Sequence, residues 1–145
     1  MTRRCDGGYR SRCPINISLE LIGDRWSLLI IRDLMFKGTD SFGGFLAAPE
    51  KIATNILSDR LTKLEAAGIL AKSPNPEDAR SVRYRLTEKG MDLAPVLIEL
   101  IVWAARYEDT AAPPELVAEM TTNRARVIEG LRKRWAAADE RDAHP

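Results

Sequence analysis

Thr54, Asn55, Ser58, Asp59 and Thr62 fall on one side of a candidate helix, with Arg60 and Lys63 at its flanks and Lys51 just ahead of it. Asn, Ser and Thr side chains can pair with base edges in a DNA groove, and Arg and Lys can meet phosphate oxygens. Downstream, Arg80, Arg83 and Arg85 sit in a candidate hairpin. The two-residue strand period puts Arg83 and Arg85 on one face, with Arg80 near the loop tip. Taken singly, each of these features is ordinary solvated surface. Their joint occurrence, in this order, is what points to nucleic acid.

The chemistry of catalysis is missing. The sole histidine, His144, is next to last in the chain, so no His-based triad or metal site can be built around it. Asp6 to Gly8 and Gly43-Gly44 lack the spacing and preceding strand of a phosphate loop. Trp26, Trp103 and Trp135 read as core anchors rather than a ligand cage. Two cysteines, Cys5 and Cys13, make neither a disulfide framework nor a zinc set. The expectation is a protein that is not an enzyme, with no cofactor and no metal.

The elements that position the polar set follow from periodicity and caps. Pro14 opens a helix running to about Ile22, with Cys13 at its N-cap and Ile15, Leu19 and Ile22 along one side. Asp24 caps a second helix, Arg25 to Phe36, which is apolar over most of its circumference and therefore central. Asp40 and Ser41 cap a short third helix, Phe42 to Ala48, weakened by its two glycines. The fourth helix, about Ala53 to Ala67, repeats Leu57, Leu61 and Leu64 on the face opposite Asn55, Asp59 and Thr62, and Gly68 stops it. Ile69 to Ser73 and Val82 to Leu86 read as strands joined by a loop, Pro74 to Ser81. Thr87 caps a long helix from Glu88 to about Tyr107. Its apolar middle needs cover on more than one face, which the same helix of a second subunit would supply.

The predicted fold class is mainly α with a small β-hairpin: a winged helix-turn-helix with long C-terminal dimerisation helices. The expected organisation is a flexible basic tail over 1–12, a DNA-binding domain over 13–107, a further C-terminal helix over 113–138 serving as dimer or pocket arm, and a disordered tail over 139–145. A helix of roughly 10–12 Å diameter fits a major groove about 12 Å wide, so the fourth helix would enter it while the hairpin reaches along the duplex.

The 145 residues are 45% hydrophobic and 30% charged, enough for a core, and the net charge is only +1. That charge is segregated. Residues 1–12 and 51–89 are each net basic, and the remainder is acidic. Phosphate affinity follows the local field rather than the sum. The longest apolar stretch, Ile98 to Ala105, is interrupted by Glu99 and is far short of the roughly 20 residues that span a bilayer. Met1 to Pro14 is polar and arginine-rich, without the apolar run of a secretory signal. A reducing cytoplasm and no membrane partner are expected.

The runs Cys13-Pro14-Ile15 and Leu21 to Ile30, with Gly23-Asp24-Arg25-Trp26 at their centre, resemble the opening signature of HxlR-type regulators, winged-helix relatives of the MarR group. The resemblance continues through Ser41-Phe42, Ile52 to Ile69, Tyr84 to Gly90, Leu93 to Leu97 and Trp103. It implies dimerisation through the N- and C-terminal helices and binding of operator DNA, expected here to be pseudo-palindromic. The chain departs from the family pattern at Ser41, where a basic residue is usual. Ala53 stands where serine usually caps the recognition helix, so Thr54 is an alternative cap. The wing is longer and more polar than the family's.

Some members use a cysteine at the position of Cys13 to sense oxidants or electrophiles. A helix N-terminus and the neighbouring Arg10 and Arg12 both lower a thiol pKa. The competing reading is a small N-cap side chain packed at the dimer contact. Cys5 is a candidate resolving thiol. A small-molecule effector held between the dimer helices stays open, with no ligand indicated. The alternative for the whole chain is a winged-helix module that binds protein and has no specific DNA site.

Overall fold

The computed structural model describes residues 8–143, the side chains of 140–143 excepted. Its elements are α1 (Pro14–Ile22), α2 (Ser27–Phe36), α3 (Phe42–Leu46), α4 (Thr54–Ala66), β1 (Leu70–Asn75), β2 (Asp78–Leu86), α5 (Glu88–Met91), α6 (Ala94–Tyr107), α7 (Pro114–Thr122) and α8 (Arg124–Ala143). This is a winged helix: three helices, a recognition-type helix and an antiparallel hairpin, followed by a helical C-terminal part.

Local chemistry sets most of the boundaries. Cys13 is the N-cap of α1, with Pro14 as its first residue. The Asp24 carboxylate accepts from the amides of Trp26 (2.9 Å) and Ser27 (3.0 Å), so a turn precedes α2 and the helix starts two residues later than predicted. Ser41 Oγ accepts from the Gly44 amide and caps α3. α3 has only five residues, two of them glycine. Ala53 caps α4 without a side-chain bond, so Thr54 is the first helical residue rather than the cap.

Four predicted elements need correction. The expected wing loop is mostly strand. β1 and β2 pair from Leu70↔Leu86 to Pro74↔Val82, with a bulge before Asn75↔Asp78. Each strand of a two-stranded sheet has a free edge, which tolerates the missing N–H of Pro74. The long helix is broken at Asp92 and Leu93, because Pro95 has no N–H to donate to Met91 and sits instead at the start of α6. The single C-terminal helix is two, parted at Asn123 (φ −142°, ψ 57°). α8 continues to Ala143, beyond the predicted end at 138. Cys5 and His144, and with them most of the predicted N-terminal tail, lie outside the described residues.

The core gathers on α2. Ile31, Phe45, Leu57, Leu64, Ile69, Leu70 and Met91 are all almost wholly buried and belong to one cluster, which Leu131 of α8 also joins. Each such side chain contributes about 1.5–3 kcal/mol through loss of apolar contact with water. A second cluster, Ile98, Val102 and Met120, ties α6 to α7. Between α4 and the wing, Gly68 turns the chain at φ +73°. Thr87 then locks the far end of the hairpin: its hydroxyl bonds the Ile69 carbonyl and accepts from the Gly90 amide. Among the described residues no helix is long and apolar enough to cross a membrane.

Candidate nucleic-acid interface

α4 is anchored by its leucines. Leu57, Leu61 and Leu64 are 0%, 4% and 1% exposed, which forces Thr54, Asn55, Ser58, Asp59, Thr62 and Lys63 outward. Asn55 and Thr54 lie in the first turn. Thr62 donates its hydroxyl to the Ser58 carbonyl at 3.0 Å, and Lys63 pairs with Asp59 at 3.2 Å. Lys51, just before α4, is exposed and takes a left-handed conformation at φ 57°. Ser41 is exposed, but its hydroxyl oxygen is occupied as the α3 cap.

Arg60 does not stand at the flank as the sequence suggested. Its Nε lies 2.9 Å from Asp24 Oδ2, and it also pairs with Asp59. Burial pushes the Asp24 carboxyl up, but bonds from the Ser27 hydroxyl, the Trp26 and Ser27 amides and Arg60 outweigh it and hold the group below the usual carboxylate range. Arg60 thereby fastens α4 to the start of α2. Sequence reasoning had no means of finding this pairing, because the partners are 36 positions apart.

The wing arginines divide. Arg80 is exposed beside the turn, its amide donating to Asp78 Oδ1 at 3.0 Å. Arg83 is partly buried, with Nε 3.9 Å from Asp40 Oδ2. Arg85 shares a strand face with Arg83 as predicted, but that face looks onto α8. Its guanidinium lies 4.5 Å from the Trp135 ring centroid, donates to the Trp135 carbonyl at 2.9 Å and approaches Asp139 at 3.4 Å. Arg85 is therefore a strut between wing and arm rather than a phosphate ligand. The residue between them, Tyr84, points away, its ring edge-on to Phe45 at 5.8 Å. Burial, with the nearby Glu65 charge, raises its hydroxyl pKa.

Two further features bear on function. Ile15 and Leu19 of α1 are 71% and 61% exposed, and Val96, Leu100, Trp103 and Tyr107 line one side of α6, also exposed. Cys13 is exposed, and its side chain makes no cap bond.

The profile of the HxlR-like helix-turn-helix family matches residues 21–112. The chain belongs to that family. An HTH-type transcriptional regulator of Synechocystis is 39% identical over 88 residues, covering 61% of this chain and 64% of the relative. The HTH-type regulator YvaP of Bacillus subtilis is 34% identical over 98 residues, covering 67% of this chain and 90% of YvaP. Among solved structures, the oxidised form of the redox regulator HypR is 28% identical with a TM-score of 0.60, covering 68% of this chain and all of HypR. The reduced form of the transcriptional regulator YodB of B. subtilis is 32% identical with a TM-score of 0.55, covering 67% of this chain and 95% of YodB. YodB has also been solved bound to quinone. In this HxlR-type chain, α7 and α8 lie beyond the segment that the family profile matches.

Proposed function

We propose that the chain is a homodimeric transcriptional regulator that binds double-stranded DNA sequence-specifically, its DNA-binding domain spanning 13–107. α4 enters the major groove with Thr54, Asn55, Ser58 and Thr62 toward base edges. Lys51, Lys63, Arg80 and Arg83 lie toward the phosphates. The observation that carries this reading is the division of α4: one face is closed by three buried leucines, and the other offers hydrogen-bonding side chains beside a protruding hairpin. Two copies joined through the exposed apolar sides of α1 and α6 would read a pseudo-palindrome with half-sites roughly 10 bp apart.

The test is a fluorescence-anisotropy titration of the full chain against the duplex upstream of its own gene and a scrambled duplex. Specific sites are expected to bind at least about 10³-fold more tightly than non-specific DNA at physiological salt. Asn55→Ala should lose discrimination at one base pair while keeping affinity for the scrambled duplex. Equal micromolar binding to both duplexes would favour a winged-helix module that recognises protein.

A second reading concerns the signal. Cys13 is an exposed thiol at a helix N-terminus, and the relatives HypR and YodB include a redox regulator and a quinone-bound form. We infer that Cys13 is the residue an electrophile modifies. Its thiolate adds to a quinone ring carbon, and the ring takes up a proton to become the hydroquinone thioether. Quinone treatment should then lower DNA affinity in the native chain and leave Cys13→Ser unaffected.

A further inference from the structure

A cleft of about 440 Å³ opens between the end of α2, the wing strand β2 and α8. Its volume falls in the range of small-molecule sites, roughly 300–1,000 Å³. Leu34 and Leu131 lie along its apolar part, and Arg83, Arg85 and Arg134 line it as well. Trp135 closes one side, its indole N–H donating to the Leu86 carbonyl at 2.8 Å. α8 falls outside the family segment, so one wall of this cleft belongs to this chain's own extension.

The charges facing the cleft are unbalanced. Three guanidiniums stand against Asp40, which is exposed and 3.9 Å from Arg83, and Asp139, exposed and 3.4 Å from Arg85. Both separations exceed the roughly 2.7–2.9 Å of a tight charge-assisted hydrogen bond. Arg134 makes no ion pair among the described residues. A carboxylate entering here would find guanidinium donors held by loosely placed, solvated acids that it can replace. The leucines beside them would take an apolar body out of water.

We propose that this cleft binds a small organic carboxylate with an aromatic body. The carboxylate meets Arg134 and Arg83, and the ring lies against Leu34, Leu131 and the rim of Trp135. Because β2 forms one wall and carries the wing, an occupant sets how the wing lies against α8. Any effect on DNA affinity rests on the DNA-binding reading above. Binding itself does not, and is measured without DNA.

The probe is 2-naphthoate, titrated into the full chain by isothermal calorimetry at low salt, with 2-naphthamide as the uncharged counterpart. Naphthoate is expected to bind with one site per chain, at least tenfold more tightly than the amide. Arg134→Gln, at an exposed position, should weaken naphthoate at least tenfold. Ala137→Trp, which adds bulk to the cleft wall while leaving every charge in place, should abolish binding. Far-UV circular dichroism and a thermal melt confirm that both variants are folded. No heat of binding at millimolar naphthoate would overturn the proposal. So would equal affinity for the amide, or binding that survives Ala137→Trp. DNA affinity with and without saturating naphthoate is then read separately, so loss of the ligand site and loss of the operator reading give different results.

Discussion

Asp24 Oδ2 at the start of α2 lies 2.9 Å from Nε of Arg60 on α4, and the same carboxylate accepts from the Trp26 and Ser27 amides. One side chain thus caps the central helix and holds the recognition-type helix against it. Replacing an N-capping Asp by Ala typically costs about 1 kcal/mol, and breaking a partly buried, hydrogen-bonded pair adds to that. Asp24→Ala is expected to cost about 2 kcal/mol in urea unfolding. Asp24→Asn, which keeps an oxygen acceptor for the cap, should cost about half as much. In a cycle with Arg60→Met, the coupling between Asp24→Asn and Arg60→Met should be about 0.5–1.5 kcal/mol. A coupling indistinguishable from zero would show that the bond does not hold the two helices together.

This pairing also marks where sequence reasoning stops. Elements fixed by near neighbours were legible: Pro14 starting α1, the Leu57, Leu61 and Leu64 stripe of α4, and Thr87 capping the turn after the wing. What was not legible depends on which distant surface a residue faces. Arg83 and Arg85 were correctly placed on one strand face, yet nothing in the local pattern says that α8 lies over it. The break before α6 was encoded by Pro95 but hidden by the continuous apolar run around it. The strand through Pro74 was hidden for the opposite reason, because a proline-containing polar stretch reads as loop until cross-strand pairing is known.

The Arg32–Glu50 pair predicts a dependence on acid. The guanidinium of Arg32 grips both Glu50 oxygens at 2.8 Å and holds the carboxyl down at about 2, from an ordinary 4.5. A depressed carboxylate stabilises the fold fully above its unfolded pKa and loses that contribution as pH falls through the folded value. The stability difference between the native chain and Glu50→Gln should therefore be constant above about pH 5 and shrink between about pH 4.5 and pH 2. Urea midpoints across that range measure it. A difference that stays constant to pH 2 would remove the ion pair as its source.

The two wing arginines should separate in DNA binding. Arg83→Ala is expected to weaken binding to all sequences and to flatten the salt dependence by about one phosphate contact. Arg85→Ala should leave the salt slope unchanged, because its guanidinium is held by the ring and carbonyl of Trp135 and by Asp139. Its effect should appear in α8 instead. A stacked cation contributes about 0.5–2 kcal/mol, so amide exchange through α8 should speed up severalfold. A reduced salt slope in Arg85→Ala, with α8 exchange unaltered, would return that arginine to the DNA surface.

Trp103 tests the assembly. It is 64% exposed on α6, 6.2 Å from the Tyr107 ring, with Val96 and Leu100 exposed on the same side. Spacings of four, three and four residues put these four side chains in one stripe along the helix. An uncovered apolar stripe containing a tryptophan and a tyrosine is the composition of an interface core, not of solvated surface. Trp103→Glu places a charge in that stripe without removing any buried contact of the single chain. Sedimentation equilibrium should give twice the 16.2 kDa chain mass for the native protein and a single chain for Trp103→Glu. Each monomer should still bind a half-site weakly, but affinity for the full operator should fall by about 10²-fold or more, since the second half-site no longer engages intramolecularly. A native protein that sediments as a single chain at tens of micromolar, or a Trp103→Glu variant that remains paired, would place the contact between copies elsewhere on the surface.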